Sequence, residues 1–100
     1  MKLETSEEKL SQHQLKSLLA QAKASVEIGA PYQHYKSPDM VYIVKDIVIN
    51  EVDNQPYVVY QAQYGERITF ARPVSVWVET VEYNGIEMPR FKKVIGRCSR

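Results

Sequence analysis

The period of the apolar positions changes once along the chain, near Pro31. Before it, Leu15, Leu19, Ala22 and Val26 recur at spacings of four, three and four, with Leu18 widening the stripe. That is the pattern of one helix face. Thr5-Ser6-Glu7-Glu8 predicts the start, because the Thr5 hydroxyl can cap the first turn while Glu8 reaches back and the acids oppose the helix dipole. Gly29 followed by Pro31 predicts the stop. One amphipathic helix is therefore expected over residues 6–28.

After Pro31 the pattern turns to β-branched runs and turn residues, with no second helical period. Residues 41–44 and 47–52 read as strands around Lys45-Asp46, and Asp53-Asn54-Gln55-Pro56 reads as a turn. Residues 57–64 alternate, and the wholly apolar set Val58, Tyr60, Ala62 and Tyr64 is expected to face the core. Gly65-Glu66 turns the chain into a strand over 68–71. A strand over 76–83 follows, Asn84-Gly85 has the signature of a two-residue type I′ hairpin, and 86–88 returns. Pro89 cannot donate to a ladder, so the last strand should lie on an edge or bend there. Five or six short strands in so little chain predict a mainly β fold, a small SH3-like antiparallel barrel preceded by one N-terminal helix. An OB-like barrel is the alternative. The expected organisation is a helix over 1–29, a barrel domain over 30–96 and a basic tail over 97–100.

Composition narrows the class. A 100-residue chain with 44% apolar and 25% charged residues is ordinary for one globular core. Thirteen basic and twelve acidic residues leave a net charge of +1, too little to concentrate a polyanion or a membrane surface. Cys98 is the only cysteine, so an intrachain disulfide is excluded and a reducing, cytoplasmic setting is the expectation. No run approaches the roughly 20 apolar residues that span a bilayer, and no membrane association is expected.

The residues also carry a resemblance. His34-Tyr35-Lys36, Val41-Tyr42-Ile43-Val44, Val58-Val59-Tyr60, Tyr64-Gly65, Arg72-Pro73, Glu79-Thr80-Val81, Gly85 and Pro89-Arg90-Phe91 follow one another in an order similar to that of the bacterial family domain of unknown function 1653. The likeness spans residues 32–95. It implies a fold and a bacterial origin, and carries no activity. The chain departs from that pattern at Ser37-Pro38-Asp39, where the family has a glycine, at Gln63 before Tyr64-Gly65, and at Phe70-Ala71 before Arg72-Pro73, where the family has Trp-Val.

The candidate chemistry is sparse. His34 is the natural general base, and Asp39 or Glu79 could orient it, yet neither spacing is diagnostic and no nucleophile motif accompanies it. No catalytic residue is therefore assigned, and the bland role for His34 is to fix its loop by hydrogen bonds. His13 sits on the helix between Gln12 and Gln14 and is expected in solvent. Two histidines twenty-one positions apart and a tail cysteine form no metal-ligand spacing, and no metal or cofactor is expected. Gly65-Glu66-Arg67 lacks the repeated glycines and following helix of a phosphate loop.

Charges in apolar company stand out more. Glu79 in a strand-like run needs a partner, and a structural ion pair with Arg72 or Arg90 is the plain reading. The functional reading leaves one arginine free to grip a carboxylate or other anion. Seven tyrosines and one tryptophan invite a base-stacking interpretation, but tyrosine is equally a strand-former that packs its ring and hydrogen-bonds its hydroxyl. Tyr32, Tyr35 and Tyr42 are the ones expected to be exposed.

Together these features predict a non-catalytic binding or adaptor module whose ligand face comprises His34, Tyr35, Lys36, Tyr64, Arg72, Trp77 and Arg90. A protein or peptide is the first expected partner and nucleic acid the second. The alternative is a small enzyme acting on a nucleotide or modified base, with His34 and Glu79 as a proton-transfer pair. The leucine stripe of the helix either packs on its own barrel, giving a monomer, or on a second copy, giving a helix-mediated homodimer; a structural subunit docking by that helix is a third reading.

Overall fold

The computed structural model describes residues 10–94, so the Thr5 start, Cys98 and the basic tail lie outside the described residues. Helix α1 (Gln12–Ser25) opens on Ser11. The Gln14 N–H donates to Ser11 Oγ at 3.1 Å and the Ser11 N–H donates to Gln14 Oε1 at 2.8 Å, a reciprocal capping box. The helix ends three residues before the expected 28, because Val26 turns extended and drops into the core. Gly29, at φ 89°, does not cap the helix; its N–H donates to the Val44 carbonyl at 2.7 Å and hands the chain to the sheet.

The strands are β1 (Pro31–His34), β2 (Val41–Asn50), β3 (Gln55–Ala62), β4 (Thr69–Pro73), β5 (Thr80–Tyr83), β6 (Ile86–Pro89) and β7 (Phe91–Lys93), with a single helical turn α2 (Val74–Trp77) after β4. Five of them form one antiparallel sheet in the order β4-β3-β2-β1-β7, and β5 and β6 make a separate hairpin. The mainly β fold with a leading helix is as expected. The sheet stays open, however, with β4 and β7 as its edges among the described residues, so the ladder does not close into a barrel.

Among the described residues seven strands stand where five or six were expected, for local reasons. The two runs at 41–44 and 47–52 are one strand, β2, whose register slips between Val44 and Asp46. Lys45 is the extra residue of a bulge, and the Ile47 N–H is taken up by Asp46 Oδ1 at 2.8 Å. β1 and β7 are too short to show alternation, and each is held by its neighbour. The expected strand over 76–83 is split, since residues from Val74 to Trp77 coil and only Thr80 onward is extended. Asn84 and Gly85 take φ 56° and 78°, as a type I′ hairpin requires.

One face of the sheet is the core. Val44, Ile47, Val58, Tyr60 and Phe91 are buried against Ala22 of α1, Val26 just beyond its end, and Val74 and Trp77 of α2, with Leu19 and Tyr42 packed at the margin. The helix thus lies on its own sheet through its C-terminal half. Ala62 joins the inner face as expected, whereas Tyr64 at its end is 36% exposed. No helix among the described residues is long and apolar enough to cross a membrane.

Candidate functional site

Antiparallel register decides which side chains meet. His34 stands opposite Phe91, Phe70 opposite Tyr60, and Arg72 opposite Val58. Partners that face each other across a ladder project to the same side. All six therefore share the face that α1 and α2 cover at one end of the sheet. Beyond that cover the face continues through Tyr42, Phe70, Arg72 and His34, with Tyr60 and Phe91 buried at the border beside Trp77.

Phe91 is the hub of this region. The His34 ring meets it edge-on at 5.2 Å, the Tyr60 ring at 5.8 Å and the Tyr42 ring at 6.0 Å, and the Arg72 guanidinium carbon lies 5.3 Å from its centroid. Arg72 Nε donates to Tyr60 Oη at 3.3 Å. Among the described residues no carboxylate lies within ion-pair distance of Arg72. Its charge is met by one ring face and a phenol hydroxyl, which orient a guanidinium without neutralising it.

Glu79 belongs to Arg90. Arg90 Nη2 donates to Glu79 Oε1 at 2.9 Å, and the Arg90 N–H donates to the Glu79 carbonyl at 2.9 Å, so side chain and backbone together close the base of the β5–β6 hairpin. Arg90 Nε is buried without a partner among the described residues. The ion pair is therefore Glu79 with Arg90, and Arg72 is not part of it.

His34 is half-buried, and its Nδ1 accepts the Lys36 N–H at 3.2 Å. The neutral ring then carries its proton on Nε2, which has no hydrogen-bond partner among the described residues. Burial first, and then the charges of Arg72, Arg90 and Lys36, hold the imidazole below its ordinary pKa. All three charges are positive, so the potential at His34 favours an anion and opposes a second proton. The carboxylate of Glu79 is held by Arg90, and among the described residues His34 shares no hydrogen bond or ion pair with it.

The remaining predicted residues divide. Tyr64 joins the region through Tyr42: their rings meet edge-on at 5.5 Å and their hydroxyls share a hydrogen bond. Burial, helped by that bond, pushes the Tyr42 phenol up to about 12. Tyr35 lies between His34 and the hairpin, its ring 4.6 Å from that of His34 and edge-on to Tyr83 at 5.4 Å, and its N–H donates to the Arg90 carbonyl at 3.0 Å. Lys36 is exposed on the loop beyond β1. With Gln33, Pro38, Met88, Pro89 and Lys92, the residues His34 and Tyr35 line a cleft of about 310 Å³.

Trp77 requires a correction. It is 2% exposed and stacked on Phe91, because the α2 turn drops its indole into the core, where it offers no ligand surface. Tyr32, expected to be exposed, is buried edge-on to Trp77 at 5.3 Å.

Two residues that the sequence reading left out of the face belong to it. Phe70 is 42% exposed beside Tyr60, and Tyr42 bridges Tyr60, Tyr64 and Phe91. Phe70 was findable, since it lies two positions before Arg72 on one strand and must share its face. Tyr42 was not, because its place depends on the β2–β3 register. Among the described residues no three of His, Cys, Asp and Glu come together as metal ligands would.

Comparison with known proteins fits this geometry to a group. Residues 30–93 match the family described as protein of unknown function (DUF1653). The crystal structure of a protein belonging to DUF1653 from Bordetella bronchiseptica is similar in fold, with a TM-score of 0.59 and 24% identity over 72% of this chain and 91% of that one. No curated protein matches the chain.

Proposed function

We propose that this chain, which belongs to the DUF1653 family, is a non-catalytic binding module that grips a carboxylate of a protein or peptide partner at Arg72. The observation that carries this reading is the state of Arg72: held by Tyr60 and Phe91, and unpaired with any carboxylate among the described residues. Orienting a guanidinium in advance lowers the entropy lost when it takes a bidentate ligand. Tyr42, Tyr64 and Phe70 supply apolar contact beside it, and Nε2 of His34 supplies a neutral donor. Lys36 adds positive potential without competing for the ligand's place, while Arg90 is paired with Glu79.

A protein partner is favoured over nucleic acid because the net charge is +1 and Arg90 is already neutralised by Glu79. Phosphate tracking needs several free cations along a path. The same reading sets the chain in the bacterial cytoplasm, supported by a single cysteine in 100 residues.

The test is recovery of partners from bacterial lysate by the immobilised intact chain and by Arg72→Gln, with the variant's fold checked by circular dichroism. Proteins recovered by the intact chain and missing from the variant are the expected result. Equal recovery by both removes Arg72 from the function, and recovery that nuclease treatment abolishes makes the partner a nucleic acid.

A further inference from the structure

The two edges of the sheet are built differently. β7 is three residues long and carries Lys92 and Lys93, the short and charged form by which an edge resists further pairing. β4 is five residues long, holds no lysine, and its residues Thr69, Phe70 and Ala71 are all exposed, as is Ile68 just before it at 53%. Only Pro73, at its end, limits it.

Hydrogen-bond phase shows what β4 presents. The Ala62 N–H donates to the Ile68 carbonyl at 3.0 Å, which makes 62 and 68 a hydrogen-bonded pair. Alternation along the β3–β4 register then turns the backbones of Phe70 and Arg72 toward β3, and those of Thr69 and Ala71 outward. Pro73 falls in the outward phase, where its missing N–H costs the β3 ladder nothing. Thr69 and Ala71 therefore present two N–H groups and two carbonyls along an edge with no neighbouring strand among the described residues.

We propose that β4 accepts an extended acidic peptide as a sixth strand, with an Asp or Glu of that peptide across from Arg72 and an apolar residue across from Phe70. This rests on the reading of Arg72 as an anion grip and supplies its mode. An incoming strand projects alternate side chains onto the same face as Arg72 and Phe70, so one register delivers a carboxylate to the guanidinium and an apolar side chain to the exposed ring. A second copy of β4 serves less well, because Thr69–Pro73 contains no acid.

The experiment is selection from a phage-displayed library of random linear heptapeptides, followed by titration of the selected peptides against three proteins: intact, Ala71→Pro and Arg72→Gln. Proline at 71 removes an outward N–H and leaves the β3–β4 bonds in place. Expected are peptides in which an acid and an apolar residue alternate with any third residue between them. They should bind about five- to tenfold more weakly to Ala71→Pro, as loss of one backbone bond predicts. Arg72→Gln should weaken them by about tenfold or more.

Peptides weakened by Arg72→Gln but indifferent to Ala71→Pro overturn strand addition and leave the anion grip standing. Peptides weakened by Ala71→Pro alone keep the strand and remove the grip. A selection that yields no binder overturns the proposal, and so does a concentration-dependent dimer that Ala71→Pro converts to monomer, which gives the edge to a second copy. Selected peptides N-methylated at the residues facing Ala71 repeat the test without altering the protein, so misfolding of Ala71→Pro cannot imitate the result.

Discussion

The rings of Trp77 and Phe91 stack face to face, 3.8 Å apart and 3° from parallel, although one sits on a single helical turn and the other on an edge strand. The stack ties α2 to β7, and its Phe91 half also carries the Arg72 guanidinium. Either residue replaced by alanine is expected to cost about 3–5 kcal/mol, the range for large aromatics removed from a core. The double variant should cost less than the sum, since the two rings lose each other only once. Urea denaturation of the three variants measures both. Trp77→Phe should destabilise the chain and leave partner recovery unchanged; loss of recovery at unaltered stability restores Trp77 to the binding face.

The pH response of His34 follows from its surroundings. Its folded pKa lies below the ordinary 6.5, so the unfolded chain takes up the proton more readily. The stability linked to His34 is complete above about pH 6.5 and declines as pH falls through the folded value. His34→Gln should flatten that acid limb in denaturation curves recorded at successive pH values. A bound carboxylate offsets Arg72, so the imidazole titration followed by NMR should move upward when a partner is added. A titration that does not move places the ligand elsewhere.

Tyr42 reports on the same face from the alkaline side. With its phenol pushed up to about 12 against an ordinary 10, the unfolded chain ionises first. The stability linked to Tyr42 is therefore full below pH 10 and is lost between about 10 and 12. Absorbance of phenolate should show a late component that Tyr42→Phe removes and Tyr64→Phe brings back toward the ordinary value. If Tyr64→Phe leaves it unmoved, burial alone sets the shift.

Glu79 and Arg90 form a pair that is half open to solvent, with side chains 52% and 23% exposed. A double-mutant cycle on Glu79→Gln and Arg90→Gln should give a coupling of about 0.5–1 kcal/mol, since exposed pairs lose most of their attraction to water. The hairpin should survive, because the backbone bond from Arg90 to Glu79 remains. A coupling of several kcal/mol in denaturation experiments contradicts this account.

Legibility in the sequence followed the range of the interactions. The type I′ turn at Asn84-Gly85 and the inward set Val58, Tyr60 and Ala62 were readable because each rests on neighbours along the chain. The helix end at Ser25 was not, since Val26 leaves the helix for a core assembled from residues up to 65 positions away. Trp77 misled for a related reason: its β-favouring neighbours Val76 and Val78 promise a strand, while the sheet needs a ring beneath Phe91 and α2 supplies it. Arg72 was legible as an unusual residue, but that Glu79 pairs with Arg90 while Arg72 rests on Tyr60 and Phe91 depends on the tertiary fold.

The bulge at Lys45 makes β2 a strand in two phases. Ahead of it Tyr42 and Val44 point inward; behind it Ile47 and Ile49 take the inward phase instead. Each half keeps its own alternation, and the mismatch is absorbed at one exposed lysine. The two halves of β2 are thus uncoupled in spacing along a single strand. Loss of Lys45 should restore a plain ladder without turning either half over, which makes this position a joint where the chain can change length while both halves stay as they are.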